Sequence, residues 1–210
     1  AFIAQGRNNT DESGKTWRCF PLEFVAKVNG YQYETLADAI TAADENATVT
    51  LLKDVTTNVT IPAGKTVTLD LNGHTLVDSA TAQDKAVAEA SRKHTITNNG
   101  TLTILDSVGT GVVDNLSHGR AAIYNAGTIA EIKSGKFTSS ADASVSSEDD
   151  GGNSWYVMYN AEGATISKIS GGEFLAIGKY SSLFCNCGSI SEISGGTFTQ
   201  DGFIAFKNTG

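Results

Sequence analysis

Acidic and basic side chains suited to proton transfer are concentrated in the middle of the chain. Asp106 and Asp114 supply carboxylates that could hold a divalent cation, and His118 and Arg120 supply basic groups that could take a proton. A calcium-dependent lyase, which removes a proton beside a metal-bound group, requires groups of both kinds. Nothing in the spacing forces these four residues together, and Arg92 is the one other arginine within the repeats and loops described below. Of two hypotheses for the function, binding without catalysis and catalysis, catalysis is therefore the less favoured.

Other metal-binding patterns in the sequence are weak. Glu148, Asp149 and Asp150 form an acidic cluster in the loop "SSADASVSSEDDGGN" and are the candidate ligands for Ca²⁺. They lack the alternating oxygen-ligand spacing of a dedicated calcium site, so a solvated polar loop is the competing interpretation. His74 and His94 lie beside predicted strands without a second ligand nearby. We therefore expect no obligatory metal or other cofactor.

The cysteines do not form a complete set of disulfides, because there are three: Cys19, Cys185 and Cys187. The spacing Cys185-x-Cys187 differs from the Cys-x-x-Cys of zinc and redox sites, and no histidine lies near it in the sequence. We therefore predict that these two thiols are packed on a strand and its corner.

The overall composition argues against two classes of partner. The 210 residues carry a net charge of −8, without the clustered basic stripe of a nucleic-acid-binding protein. No uncharged apolar run approaches the roughly 18 to 20 residues of a transmembrane helix, so we expect no membrane insertion. The apolar content of 40% suffices for a sizeable core, in one domain or one run of stacked repeats.

A repeated ten-residue phrase indicates which elements position the candidate side chains. "TIAEIKSGKF" at 128–137 returns as "TISKISGGEF" at 165–174 and as "SISEISGGTF" at 189–198. Such repetition indicates stacked units, here with three short strands separated by corners. Ile166 and Ile169 are also spaced as on a helix face. The paired glycines and the Thr and Ser residues nevertheless favour a strand that bends into its corner.

The aligned copies predict continuous columns of side chains at the roughly 4.8 Å spacing of neighbouring strands. Apolar residues fill three inward columns: Ile96, Ile123, Met158, Phe184 and Phe206; Val67, Leu102, Ile129, Ile166 and Ile190; and Leu76, Val113, Phe137, Phe174 and Phe198. Asparagines whose amides could bond one another stack at one corner: Asn125, Asn160, Asn186 and Asn208. Glycines, which like asparagine tolerate left-handed backbone, mark the same corner: Gly64, Gly100, Gly127, Gly163, Gly188 and Gly210. The predicted fold is all-β, a single-stranded right-handed parallel β-helix (β-solenoid) of about five coils.

Variation in loop length is confined to one edge of this predicted β-helix. The separation between the third apolar column and the next corner asparagine ranges from 10 residues (Phe198 to Asn208) to 23 residues (Phe137 to Asn160). The rest of the coil keeps a nearly constant length. Loops gathered on one side often mark a binding side.

The outward face beside these loops is unusually apolar. Tyr124, Val157, Tyr159 and Leu183 are predicted to lie there and to form a platform for sugar rings or for a protein. The alternative is that the Ala-rich insertion at 84–93 folds as a helix over the same face.

The N-terminal part follows a different pattern. We predict an extension or linker at 1–27, a cap with a short helix at 28–46 and the parallel β-helix at 47–210. Thr35 is the expected N-cap of the helix, which follows an Asn-Gly hairpin and is placed to cover the first coil. Because the last coil is unfinished at Gly210, we expect either further domains of a longer polypeptide or a partner that covers this end.

Two features together resemble a known group of proteins. The run "VNGYQYETLADAITAADENATVTLLKDVTTNVTIPAGKTVTLDLNGHTL" is followed by units of the form N-x-G-T-I-x-x-I-x-G-G-x-F. Over about residues 28–210, this is similar to the pectin-lyase-like parallel β-helix regions of large secreted or wall-anchored surface proteins of Gram-positive, often gut-dwelling, bacteria.

This resemblance implies a location and a role. We expect an extracellular or bacterial cell-surface module that is not catalytic and that binds a host or bacterial surface glycan or protein, as an adhesin does. The same fold also serves polysaccharide lyases and glycoside hydrolases, which are therefore the alternative.

Overall fold

The described part of the protein is all-β, with one short helix among the described residues. A computed structural model describes residues 8–10, 12–18, 23–79, 92–117, 119–139, 156–177, 181–200 and 204–209. Most of its strands belong to three sheets, in which parallel neighbours follow the order of the chain. This arrangement is consistent with a β-solenoid.

The three sheets receive strands in turn as the chain advances. The first sheet contains β7 (Val59–Ile61), β10 (Ile96–Asn98), β13 (Ala121–Asn125), β16 (Tyr156–Asn160), β19 (Ser182–Asn186) and β22 (Ile204–Asn208). The parallel part of the second sheet contains β5 (Ala47–Leu51), β8 (Thr66–Asp70), β11 (Thr101–Leu105), β14 (Thr128–Ile132), β17 (Thr165–Ile166) and β20 (Ser189–Ile190). The third sheet contains β6 (Val55–Thr56), β9 (Thr75–Val77), β12 (Val112–Asp114), β15 (Lys136–Ser139), β18 (Glu173–Ala176) and β21 (Thr197–Gln200).

The N-terminal elements pair differently. β1 (Asn8–Thr10) and β2 (Thr16–Arg18) form a separate antiparallel pair. β3 (Ala26–Val28) and β4 (Tyr31–Tyr33) extend the second sheet in antiparallel fashion beside β5.

The strand register confirms the three apolar columns predicted from the sequence. In the third sheet, for example, Phe174 pairs with Phe137 and Phe198, and its ring centroid lies 4.9 Å from each of theirs. Each column also has an earlier member that the sequence alignment did not include: Val59, Ala47 and Val55. Most members of the columns form one contiguous buried core, against which Ala47, Ile190 and Phe198 pack, whereas Phe206 is exposed.

The corner asparagines form the predicted ladder. The Asn98 side-chain N–H donates to the amide oxygen of Asn125 at 2.7 Å, and the same bond links Asn125 to Asn160 at 2.8 Å. The ladder continues to Asn186 and Asn208 at 2.7 and 2.8 Å. Each buried amide is thereby satisfied by the coil beside it, which costs far less free energy than an unpaired polar group.

The glycines at this corner have two roles, of which the sequence predicted one, the left-handed backbone found at Gly64 and Gly163. Gly163 has a left-handed backbone (φ 77°), as expected, but Gly100 and Gly127 do not. A Cβ added at Gly127 would lie 2.3 Å from the carbonyl oxygen of Gly100. At these positions glycine is required because successive coils approach too closely for any side chain.

The repeated phrase is a strand that bends into its corner, as predicted, and not a helix. β17 ends at Ile166, and Ile169 then forms isolated parallel bridges with Ile132 and Ile193. The segment from Ile166 to Ile169 therefore links two positions at which the chain pairs with the neighbouring coils, the end of β17 and the bridge at Ile169.

The helix α1 (Leu36–Ala42) lies within the segment where the sequence predicts one. The Thr35 hydroxyl accepts a hydrogen bond from the Asp38 N–H at 3.1 Å, the contact expected of an N-cap. Leu36, Ala39 and Ile40 are fully buried in the core cluster. The preceding Asn-Gly pair has positive φ at both residues and closes the hairpin between β3 and β4.

Candidate functional site

A row of aromatic rings runs along the first sheet. Tyr124 stacks between His94 and Tyr159, with ring centroids 4.6 and 5.4 Å away. Tyr124 and Tyr159 are register partners on β13 and β16, so the parallel strands hold their rings face to face. Tyr156 meets the Tyr159 ring at a steep angle, 5.8 Å away. The two tyrosines predicted from the sequence thus belong to a larger aromatic cluster.

The aromatic cluster lines a small cleft of about 120 Å³. The lining residues are the four aromatic residues of the row together with Gly119, Arg120 and Ala121. The backbone N–H of Ala121 donates to Nδ1 of His94 at 2.9 Å, so the neutral imidazole carries its proton on Nε2. The cleft therefore offers aromatic surface and an oriented N–H group.

Electrostatics keeps the histidine of the cleft uncharged. Burial, with a smaller contribution from the Arg120 guanidinium, lowers the pKa of His94 to about 4. The contacts that position Arg120 include hydrogen bonds from Nε to the Arg92 carbonyl at 3.2 Å and from Nη1 to the Gly119 carbonyl at 2.9 Å. Near neutral pH the described lining of the cleft thus combines neutral aromatic rings with the positive charge of Arg120.

Tyr156 and Tyr159 lie against a pair of cysteines, Cys185 and Cys187. Cys187 Sγ is 3.5 Å from the Tyr159 hydroxyl and 3.8 Å from Cys185 Sγ. Burial raises the pKa of Tyr156 to about 12, and the hydrogen bond with Cys187 raises the pKa of Tyr159. Both phenols are therefore neutral under physiological conditions, and both rings can stack without carrying charge.

The exposed part of the predicted platform is narrower than the sequence indicated. Val157 is fully buried and Leu183 is 1% exposed, and both belong to the core cluster. Because Met158 beside Val157 is also buried, this end of the strand is covered on both faces. Only Tyr124 and Tyr159 of the four predicted contact residues are partly exposed in this structure.

The candidate catalytic carboxylate Asp106 has a structural role in this fold. It is nearly buried, and its two oxygens accept backbone N–H bonds from Gly73 at 2.7 Å and Gly111 at 2.6 Å. Asp70, one coil earlier, similarly accepts from the backbone of Asn72 and Ser107. These carboxylates close the corner between the second and third sheets.

The other candidate catalytic residues are held by separate contacts. Asp114 accepts a hydrogen bond from the Thr138 hydroxyl at 2.6 Å. It lies three strand residues beyond Gly111, or about 10 Å along the chain, so its carboxylate and that of Asp106 are at different ends of this segment. Arg120 lies in the aromatic cleft, and His118 lies outside the described residues.

The predicted calcium ligands Glu148, Asp149 and Asp150 also lie outside the described residues, as do Cys19 and residues 84–91 of the insertion. Within the described part of the chain, no group of three or more His, Cys, Asp or Glu side chains is arranged to hold a metal ion.

Sequence reasoning missed His94 and Tyr156 as parts of the aromatic cluster. His94 lies before β10, and Tyr156 is the first residue of β16. Both therefore come before the positions that repeat from coil to coil, and the aligned columns do not indicate which face they occupy. Tyr156 is three residues from Tyr159, which alternation would place on the opposite side of the sheet. A weak signal existed, because both lie beside the loops of variable length.

Comparison with protein-family models, with curated proteins and with solved structures gives no match for this chain. None of the helices in the described ranges has the length and apolar character needed to cross a membrane.

Proposed function

We propose that the chain is a non-catalytic binding module with a right-handed parallel β-helix of about five coils and α1 as its N-terminal cap. The recurring order of three strands supports the solenoid, and the burial of one side of α1 against the core supports the cap. The resemblance of the repeat units to those of bacterial surface proteins supports a secreted or cell-surface location.

The ligand that we propose is a surface glycan, bound with a sugar ring against the aromatic cluster. The observation that carries this proposal is the stack of His94, Tyr124 and Tyr159 at the edge of an open cleft. Aromatic faces pack well against the apolar faces of sugar rings, while the Nε2–H of His94 and the guanidinium of Arg120 can bond to sugar oxygens. The cleft volume of about 120 Å³ suits part of one ring, so the rest of the glycan lies along the surface.

Catalysis gains no support from the contacts of Asp106. A carboxylate that already accepts two short backbone bonds is poorly placed to exchange protons with a substrate. We therefore keep binding as the proposed activity.

A glycan array probed with the 210-residue chain and with site variants tests this function. Tyr124→Ala and Tyr159→Ala should each weaken binding by roughly 1 to 3 kcal/mol, by analogy with aromatic residues at interfaces. The double variant should nearly abolish it. Tyr31→Ala is the matched control, because Tyr31 on β4 is 70% exposed and belongs to a different sheet from the aromatic row.

Two results would contradict the proposal. One is glycan binding that the double tyrosine variant retains at the strength of the parent chain while circular dichroism shows the same fold. The other is release of reducing ends or unsaturated products from an acidic polysaccharide, which would make the chain an enzyme. Binding to a surface protein with no glycan binding would keep the module and change its ligand.

A further inference from the structure

Two thiols in van der Waals contact lie at the end of β19. Cys185 Sγ and Cys187 Sγ are 3.8 Å apart, and both are free thiols. Bond formation would have to shorten this distance to about 2.05 Å. Only Asn186, the last residue of β19, separates the two cysteines, so the adjustment that closes the bond is confined to this strand end and its corner.

The surroundings of the two sulfurs differ. Cys185 is 4% exposed, whereas Cys187 is partly exposed. Cys187 Sγ accepts a hydrogen bond from the Thr209 hydroxyl at 3.2 Å, and this bond and the contact with Tyr159 lower the pKa of the thiol. Burial raises the pKa of Cys185. Cys187 is therefore the thiol more readily ionised and more readily reached.

A cation lies beside the pair. Lys207 is the register partner of Cys185 on β22, and its charge lowers the pKa of both thiols. The opposite register partner of Cys185 is Tyr159, whose hydroxyl contacts Cys187. A pair of thiols with one exposed, polarised member and one buried member is the arrangement of a nucleophilic cysteine with a resolving cysteine.

We propose that Cys185 and Cys187 form a thiol–disulfide exchange site, in which Cys187 reacts with a small disulfide from solution and Cys185 resolves the product. The Cys187 thiolate attacks one sulfur of the external disulfide, forms a mixed disulfide and releases one external thiol. Cys185 then loses its proton and attacks Cys187 Sγ, which expels the second external thiol. Two protein thiols are thereby oxidised to one disulfide, and one external disulfide is reduced to two thiols. This site does not rest on the proposed glycan-binding function.

The test uses the 210-residue chain carrying Cys19→Ser, so that the pair is the only source of thiols. The folded protein is incubated with buffers of increasing ratio of oxidised to reduced glutathione, quenched with acid and treated with a maleimide. Intact mass then reports free thiols, bound glutathione and the internal disulfide. We expect both thiols to disappear together, with the loss of two hydrogen atoms and without retained glutathione.

Two single variants in the same background separate the roles. Cys185→Ser should accumulate one glutathione on Cys187, because no resolving thiol is left. Cys187→Ser should react at least about tenfold more slowly, because the remaining thiol is buried. The proposal is overturned if the parent keeps two free thiols at every ratio, or retains glutathione without closing the ring. The parent alone decides this question if either serine variant fails to fold.

Discussion

At the scale of single residues, the buried polar groups differ in how their charge is controlled. The asparagine ladder is neutral and repeats in every coil from Asn98 to Asn208, so its hydrogen bonds do not depend on pH. His94 occurs once and can ionise. Its Nδ1 accepts from the Ala121 N–H, and its ring stacks on Tyr124, so the fold is built around the neutral form.

The first prediction concerns the pH dependence that His94 imposes on stability. Its pKa in the folded protein is about 4, below the ordinary value of 6.5. The unfolded chain therefore binds more protons between these values, so the free energy of unfolding falls as pH is lowered from 6.5 to 4. The full effect is on the order of 3 kcal/mol. Above pH 6.5 this stabilisation is fully retained, and below about pH 4 it is lost and the free energy of unfolding changes no further from this cause.

His94→Asn provides the comparison, since the asparagine side chain can still accept from Ala121 but does not titrate. Urea unfolding of parent and variant should be followed from pH 8 to pH 4. We expect the parent to lose stability relative to the variant across the stated window. A constant difference at all pH values would show that His94 ionises normally in the folded state.

At the scale of strands and corners, the sequence predicted the repeated columns and the capped helix α1, but not the positions where strands depart from the repeat. The columns that contain Phe174 and Met158 follow from alignment alone, because every coil must fill the same inner position. The burial of Val157 and Leu183 did not follow from alternation, since it depends on what covers the outer face near a corner. The aromatic cleft depends on strand entry points, where His94 and other residues leave the repeat pattern.

The second prediction uses two corner glycines that are required for different reasons. A Cβ at Gly127 would lie 2.3 Å from the Gly100 carbonyl oxygen, so Gly127→Ala must push two coils apart. Gly163 has φ 77° and open space around it, so Gly163→Ala meets only the backbone penalty of about 1 to 2 kcal/mol. We expect Gly127→Ala to cost at least about 3 kcal/mol, as a severe case of overpacking.

Thermal and urea unfolding of the two alanine variants measure this difference directly. Each variant carries the same added methyl group, so the hydrophobic contribution of the substitution is nearly matched. Equal losses in the two variants would mean that backbone conformation, and not the approach of neighbouring coils, determines the need for glycine at Gly127.

At the scale of the whole molecule, the stacking of coils makes stability local. Within its sheet, each inner strand of the stack is hydrogen-bonded to the strand of the coil before and of the coil after it. Phe137 and Phe174 are fully buried between neighbours, whereas Ile193 and Phe206 in the last coil are 45% and 43% exposed. In the isolated 210-residue chain, the contacts that hold a coil in place therefore decrease from the middle of the stack towards Phe206.

The third prediction is a gradient of hydrogen exchange among backbone amides in equivalent positions. The N–H groups of Ala126, Ala161, Cys187 and Thr209 each follow a ladder asparagine and donate to the carbonyl of the asparagine one coil earlier, at 2.8 to 2.9 Å. Their bonds are alike, so differences in exchange report the opening of the coils. In a sample of the isolated 210-residue chain, we expect protection to be highest at Ala126 and Ala161 and at least about a hundredfold lower at Thr209, because in that sample the coil of Thr209 opens with the smallest loss of packing. Exchange followed by NMR at constant pH, corrected for intrinsic rates, gives the order.

Phe174→Ala should lower protection most at Ala161 and Cys187, since it opens a cavity between the middle coils. Uniform protection at all four amides would show that the stack opens only as a whole.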